Sequence, residues 1–303
     1  MVADCAIIGG GPAGLNAALV LGRARRKVLL FDDNKARNAV TQHSHGFITR
    51  DGVSPAEFRA IGQRELAQYP SVDIHSMRIE TVIKQGTVFE LIATSGEKFE
   101  ASTIILATGI QEILPAVEGI YDYYGKSLFN CPFCDGWELR DKPLVIIAEN
   151  GMAAFHVPKV LYNWSSDIIV CTNGYSVLDE EQKLFFAKYG IEVIGEKIAA
   201  LGGQDGQLER VMFENHPDIE RAGGLVAVQW KQATSIGQDL GCETNASGGI
   251  ATDELGRTNI KGVYAAGDTV TNVMMSQLIA AAANGSRVAA GVVADVVTSY
   301  FEQ

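Results

Sequence analysis

The pattern of apolar and polar positions opens with a strand, Cys5 to Ile8, a glycine turn, a helix from about Pro12 and a second strand, Val28 to Phe31. This is a βαβ beginning. Residues 33–52 show little periodicity and read as a long loop beside a ligand. Ser54-Pro55-Ala56-Glu57 has the form of a capping box with proline at the first helical position, so a helix starts there, with Phe58, Ile61, Leu66 and Tyr69 facing inward. Alternation over Val88 to Ala93 predicts a small antiparallel sheet before the strand Thr103 to Ala107. After Pro115 the pattern restarts: Leu144 to Ile147 and Ile168 to Val170 are strands with a helix between them. Gly202, Gly203 and Gly206 mark turns, and Gly223-Gly224 precede a strand, Leu225 to Val228. The strand ending Gly262 to Asp268 leads to an alanine-rich helix from about Ser276 to Val297. The expected fold is α/β: two three-layer domains built on βαβ units, the second inserted in the first, joined by short hinge segments. The boundaries are expected at residues 1–117 and 244–303 for the outer domain and 118–243 for the inserted one.

Length and composition fit this picture. A chain of 303 residues suggests about two domains, and 47% hydrophobic with 20% charged residues is an ordinary globular balance. The net charge of −11 excludes nucleic acid as the main partner, because no basic excess is available for phosphates. The basic cluster Arg23, Arg25, Arg26 and Lys27 sits where cations complement a helix C-terminus. No stretch reaches the roughly 18 apolar residues of a membrane span, and the apolar start lacks the charged region of a signal peptide. Five cysteines, scattered apart from one C-x-x-C, suit a reducing compartment, so a cytoplasmic location is expected.

Gly9-Gly10-Gly11-Pro12-Ala13-Gly14 is G-x-G-x-x-G between a strand and a helix. Gly9 allows the tight turn, Gly11 admits a pyrophosphate close to the backbone, and Gly14 lets helix and strand pack closely, with the phosphates at the helix N-terminus. Asp32 closes the second strand at about the 20-residue distance expected of an acid that takes ribose hydroxyls. The bland alternative is a glycine turn and a surface aspartate.

Cys131-Pro132-Phe133-Cys134-Asp135 carries the redox argument. A C-x-x-C closes a disulfide or supplies half a zinc site, but zinc needs two more clustered ligands. Cys5, Cys171 and Cys242 are isolated, and His43 and His45 lie in another segment. Asp135 is placed to shuttle a proton to a leaving thiolate.

Two further strand ends, Ala107-Thr108-Gly109 and Gly267-Asp268, resemble the FAD signatures of flavoproteins with two dinucleotide-binding domains. Glycine loop, Ala-Thr-Gly, Cys-x-x-Cys-Asp-Gly, second βαβ unit and Gly-Asp, in this order, resemble the low-molecular-weight thioredoxin reductase family over essentially the whole chain. The resemblance implies two Rossmann-like dinucleotide-binding domains and bound FAD, with Asp33 among the cofactor-binding residues, Arg37, Asn38 and His45 in the segment Arg37 to Asp51 along the flavin, and Gln277 near its pyrimidine edge. It also implies Cys134 as the flavin-proximal thiol, Cys131 as the attacking thiol, Asp135 as acid/base, and a homodimer. For His43 and His45 a purely structural role stays equally open.

The departure from that family lies in the second βαβ unit. The turn that should take NADPH reads Ala148-Glu149-Asn150-Gly151-Met152-Ala153, and no arginine follows the next strand until Arg210. A carboxylate where a pyrophosphate belongs is an unfavourable pairing. The expectation is therefore an FAD-dependent disulfide oxidoreductase that exchanges electrons with a thioredoxin-like protein or a small disulfide or dithiol, without NADPH as donor. Ferredoxin or another flavin would then serve as donor, or a second flavin would fill the inserted domain, stacked on aromatics such as Phe155, Tyr162, Trp164 or Tyr175. In this the chain resembles the divergent, NADPH-independent branch related to gliotoxin- and holomycin-type dithiol oxidases, although those oxidases often carry histidine just before the first cysteine, where Asn130 stands here. Three alternatives stay open: such an oxidase using oxygen, a conventional NADPH thioredoxin reductase, and a non-enzymatic redox-sensing flavoprotein.

Overall fold

The structure, a computed structural model, describes residues 2–270 and 277–301. The chain starts β1 (Ala3–Ile8), α1 (Pro12–Arg23), β2 (Val28–Phe31), α2 (Pro55–Leu66) and β3 (Val72–His75). An antiparallel run follows: β4 (Ile79–Gln85), β5 (Val88–Ala93) and the long β6 (Lys98–Leu106), then β7 (Ile110–Ile113). Next come α3 (Ile120–Tyr123), β8 (Leu128–Phe129), α4 (Pro132–Leu139), β9 (Leu144–Ile147), α5 (Gly151–Leu161), β10 (Ile168–Cys171), α6 (Glu180–Ala187) and β11 (Glu192–Ile194). The antiparallel β12 (Ile198–Gln204), β13 (Gln207–Phe213) and β14 (Ile219–Glu220) lead to β15 (Gly224–Val226) and β16 (Gln229–Gln232). The chain ends with α7 (Ile236–Asp239), β17 (Val263–Ala265) and α8 (Leu278–Phe301).

Two compact units result. The first holds Met1–Ala39, Gly46–Gln111 and Trp230–Gln303; the second holds Val40–His45 and Glu112–Gln229. The chain crosses along β7 and returns along β16, and these two strands pair. The crossings differ from the expected 117/118 and 243/244. Val117 packs into the second unit's core beside Ile120 and Leu128, while Ile236 and Cys242 pack with the first unit's Ile104 and Leu106.

In the first unit the sheet order is β3-β2-β1-β6, and β6 shares its outer edge. Its first half pairs antiparallel with β5 (Phe89 opposite Ala101), and its second half pairs parallel with β17 (Ile104 opposite Val263). Both faces of this sheet are covered, so its strands are nearly continuous apolar runs. One face packs Ala13, Ala17, Leu21, Val288 and Val292 from α1 and α8; the other packs Phe89, Leu91 and Ile250. The second unit repeats the plan with a five-stranded parallel sheet, β11-β10-β9-β15-β8, between the α5/α6 side (Ala154, Leu161, Phe186) and the β12–β13 side (Leu201, Val211, Phe213).

Several local expectations are corrected. α2 ends at Leu66, its buried apolar residue, so Tyr69 lies beyond it; Ser54 Oγ accepts the Glu57 N–H at its start. Gly202 and Gly203 lie inside β12 at a register shift rather than in a turn, because Gly203 passes so close to Gln207 O that no Cβ fits. The strand after Gly223 stops at Val226. The last helix is described from Leu278, and its expected start at Ser276 lies outside the described residues.

Helices α1 and α8 touch backbone to backbone. A Cβ on Gly285 would sit 2.0 Å from Ala13 O. Gly285→Ala is therefore expected to destabilise the first unit by about 1–3 kcal/mol, the usual cost of overpacking a rigid contact, measured as a lower denaturation midpoint.

Candidate active site

The glycine loop is built by mutual close approach. Gly9 has φ +114°, and a Cβ there would stand 2.2 Å from Ala107 O. A Cβ on Gly14 would stand 1.8 Å from Gly9 O, so α1 packs directly on the end of β1. Gly11, the N-cap of α1, differs: nothing lies within 4 Å of its absent Cβ. That open space borders the first N–H groups of α1, where phosphate oxygens are welcome. Pro12 opens the helix and Ala13 follows it, buried.

Asp32 is buried at the end of β2. Its Oδ1 accepts the Asn34 N–H at 3.0 Å, while its Oδ2 is buried without a partner. An orphaned carboxylate oxygen beside an open phosphate cradle matches the ribose hydroxyls of a dinucleotide. Asp33 is engaged locally, by the Lys35 N–H at 3.1 Å and the Arg78 guanidinium at 3.3 Å.

The other predicted strand ends converge in the same unit. Gly109 has φ +70° and donates its N–H to Thr269 Oγ1 at 2.7 Å, which also lies 3.3 Å from Thr108 Oγ1. Gly267 donates to Asn284 Oδ1 at 2.7 Å, and Asp268 pairs with Arg37 at 3.2 Å. The Arg37 guanidinium lies 5.2 Å from the centre of the Trp230 ring, a stacking partner that no motif signalled. Asn38 follows Arg37 in a short 3-10 turn, and Gln277 directly precedes α8, its carbonyl accepting the Ala281 N–H. These residues fit FAD: a phosphate cradle, an unpaired acid for the ribose, and a charged Arg37–Asp268 pair.

In the second unit Cys131 and Cys134 form a disulfide, with Cα atoms 5.3 Å apart. Cys131 is the N-cap of α4, and its carbonyl accepts the N–H groups of Cys134 and Asp135, each at 3.2 Å. Proline at the next position lacks the N–H the first turn would leave unpaired, so C-P-x-C folds naturally into a helix start. Asp135 is buried, and desolvation, with the Glu138 charge second, pushes its carboxyl up to about 7. His45 groups with this unit and not with the other predicted cofactor residues; its Nε2 lies 3.7 Å from Glu138 Oε1. Among the described residues, no cluster of three or more His, Cys, Asp or Glu is arranged to hold a metal. No described helix is long and apolar enough to cross a membrane.

The second βαβ turn is closed on itself. Asn150 caps α5 through its own side chain, Oδ1 accepting the Ala153 N–H at 2.9 Å. Glu149 Oε1 accepts the Asn173 amide at 2.6 Å, and Asn173 Oδ1 accepts the Ile198 N–H at 3.0 Å. Phe155 packs against Phe185 and Phe186, and Trp164 against Phe133, while Tyr162 and Tyr175 are exposed.

Residues 3–285 match the pyridine nucleotide-disulphide oxidoreductase family. A Bacillus anthracis structure described as thioredoxin reductase TrxB superposes with a TM-score of 0.95 at 44% identity, covering 98% of this chain and 99% of that one. A probable thioredoxin reductase of Arthroderma benhamiae is 31% identical over 88% of this chain and 73% of its own length. The Aspergillus oryzae thioredoxin reductase aclD is 29% identical over 97% of this chain and 96% of its own. With its two Rossmann-type units and its Cys131–Cys134 disulfide, this chain belongs to the pyridine nucleotide-disulphide oxidoreductase family, as a thioredoxin-reductase-like, flavin-dependent enzyme.

Proposed function

We propose that the protein exchanges electrons between FAD, the Cys131–Cys134 pair and a disulfide or dithiol partner, without drawing them from NADPH. The observation that carries the redox reading is the disulfide at the N-cap of α4 with Asp135 buried one turn in. In the reduced pair, a sulfur anion at Cys131 would lie at the positive end of that helix, which favours the nucleophile. Attack by Cys131 on a partner disulfide leaves a mixed disulfide and expels a thiolate; Cys134 then attacks Cys131, releasing the second thiol. Asp135, protonated below about pH 7, supplies a proton to the departing sulfur.

FAD, when bound, serves as the two-electron store for the pair. The residues that would hold it are Gly9, Gly11, Pro12, Ala13, Gly14 and Asp32, with Asp33, Arg37, Asn38, Ala107, Thr108, Gly109, Gly267, Asp268 and Gln277 completing the site. The thioredoxin-like or small-molecule partner, the homodimer and the cytoplasmic location belong to the same proposal, extended from the relatives' names and the sequence pattern.

The family's name implies a nicotinamide donor, and the second unit argues against one. The helix N-terminus that would greet a pyrophosphate is already capped by Asn150, and Glu149 adds a negative charge held in place by Asn173. A 2′-phosphate would also lack the bidentate arginine contacts that make such sites strong. Ferredoxin or another flavin is the donor this closed turn leaves room for.

Three outcomes test these assignments. The purified protein is expected to carry one FAD per chain that anaerobic dithionite bleaches fully, whereas one equivalent of NADPH bleaches it slowly or not at all. Rapid, complete bleaching by micromolar NADPH would overturn the donor assignment. Cys131→Ser should show a long-wavelength absorbance band from the remaining Cys134 sulfur beside oxidised flavin, and Cys134→Ser should show none; the reverse result would exchange the two roles. Turnover with a disulfide substrate should fall as pH rises through about 7, since Asp135 loses its proton there. Glu138→Gln removes a charge that raises the Asp135 carboxyl, so that limb moves to lower pH. Asp135→Asn is expected to be slow at every pH, with the limb gone; a pH–rate profile checks all three proteins.

A further inference from the structure

The stretch just before the redox cysteine is held by a carboxylate that no motif identifies. Sheet pairing in β8 ends at Phe129, opposite Leu225, and α4 begins at Pro132. Asn130 and Cys131 bridge these two fixed points, and Pro132 offers no N–H to help anchor them. The anchor comes from Glu112 in β7. Its Oε1 accepts the Asn130 side-chain amide at 2.6 Å, and its Oε2 accepts the Tyr124 hydroxyl, also at 2.6 Å. All three residues are half-buried. Tyr124 is itself fixed, its N–H donated to Ile120 O at 3.0 Å, and the Gly125 N–H closes the following turn onto Leu128 O at 2.8 Å. Two donors meeting one carboxylate at short range are the stronger kind of hydrogen bond.

We propose that Glu112 is a positioning residue for Cys131. By tying Asn130 to Tyr124, it holds the Cys131 sulfur where it can close on Cys134. A thiol held near its partner has a high effective concentration, so the tether favours the closed disulfide over the open dithiol. Loosening it leaves the fold in place and shifts that equilibrium. This inference rests on the redox reading of the pair.

The test is anaerobic equilibration of the full-length flavoprotein with dithiothreitol buffers of graded reduced-to-oxidised ratio. Each dithiothreitol passes two electrons and two protons to the pair; the Cys131–Cys134 bond breaks as the buffer closes its own ring. Alkylation and peptide mass then report the fraction open. Glu112→Ala is expected to shift the midpoint about tenfold toward the open dithiol, the scale of one lost charge-assisted hydrogen bond. Glu112→Gln should return to within about threefold of the parent, because its amide still accepts one donor and the Tyr124 hydroxyl can turn to accept from it. If Glu112→Ala does not fold, Tyr124→Phe, which removes one arm and keeps the ring, should shift the midpoint in the same direction by a smaller factor. Superimposable curves for the parent and the folded variants would overturn the inference, as would Glu112→Gln behaving like Glu112→Ala, which would mean that charge matters and not the tether. A parent pair that never opens, even in fully reduced buffer, would instead remove the redox reading itself.

Discussion

The first unit depends on backbone meeting backbone where no side chain fits. Gly9 lies against the Ala107 carbonyl, Gly14 against the Gly9 carbonyl, and Gly285 against the Ala13 carbonyl. These contacts draw together the ends of β1 and β6, the start of α1 and the body of α8. The result is a helix N-terminus stripped of side chains and aimed into open space at Gly11. Under the proposed function, binding in that space would be a by-product of packing: the glycine that would admit a phosphate, Gly11, is a neighbour of the glycines that let the elements touch. The buried acid at Asp32 completes the arrangement, and its one unpaired oxygen is tolerable because a ligand can satisfy it.

The second unit uses the same frame for a different end. Where the first unit leaves its helix N-terminus open, the second fills its own with Asn150 and secures Glu149 through Asn173. One N–H of that helix start is therefore taken by Asn150, and the nearby carboxylate of Glu149 is unfavourable to an anion. What the unit offers is a rigid shelf for α4, with the sulfur pair at its start and a carboxyl under it that burial has made hard to ionise.

Much of this was legible in the sequence because the chemistry is local. Glycine spacing, an acid at a strand end, C-P-x-C followed by aspartate, and a carboxylate added where a phosphate-binding turn belongs each report on a few adjacent residues. The crossings between units were less legible, because Val117 and Ile236 are apolar residues that either core would accept, and only their neighbours in space decide. Gly203 misled for a related reason: a glycine needed for close approach inside a strand looks the same as one needed for a turn. Glu112, Tyr124 and Trp230 carried no signal at all. Each pairs with a partner distant in sequence: Glu112 accepts from Asn130, Tyr124 donates to Glu112, and Trp230 lies against Arg37.

The split construction of the first unit has a consequence for how the protein is made. Its sheet needs β17, and its helical layer needs α8, yet both are synthesised after the whole of the second unit. While the ribosome is still translating the insert, the outer edge of β6 beside β17 has no partner, and the side of α1 that α8 covers, at Ala13, is still bare. The second unit, drawn almost entirely from one stretch of chain, has its parallel sheet available by Gln229. Folding during synthesis therefore runs from the inside out, with the inserted unit able to close first and the first unit completed last, when β17 and α8 arrive. Until α8 arrives, an exposed strand edge and an apolar helix face make the nascent first unit a natural client for chaperones.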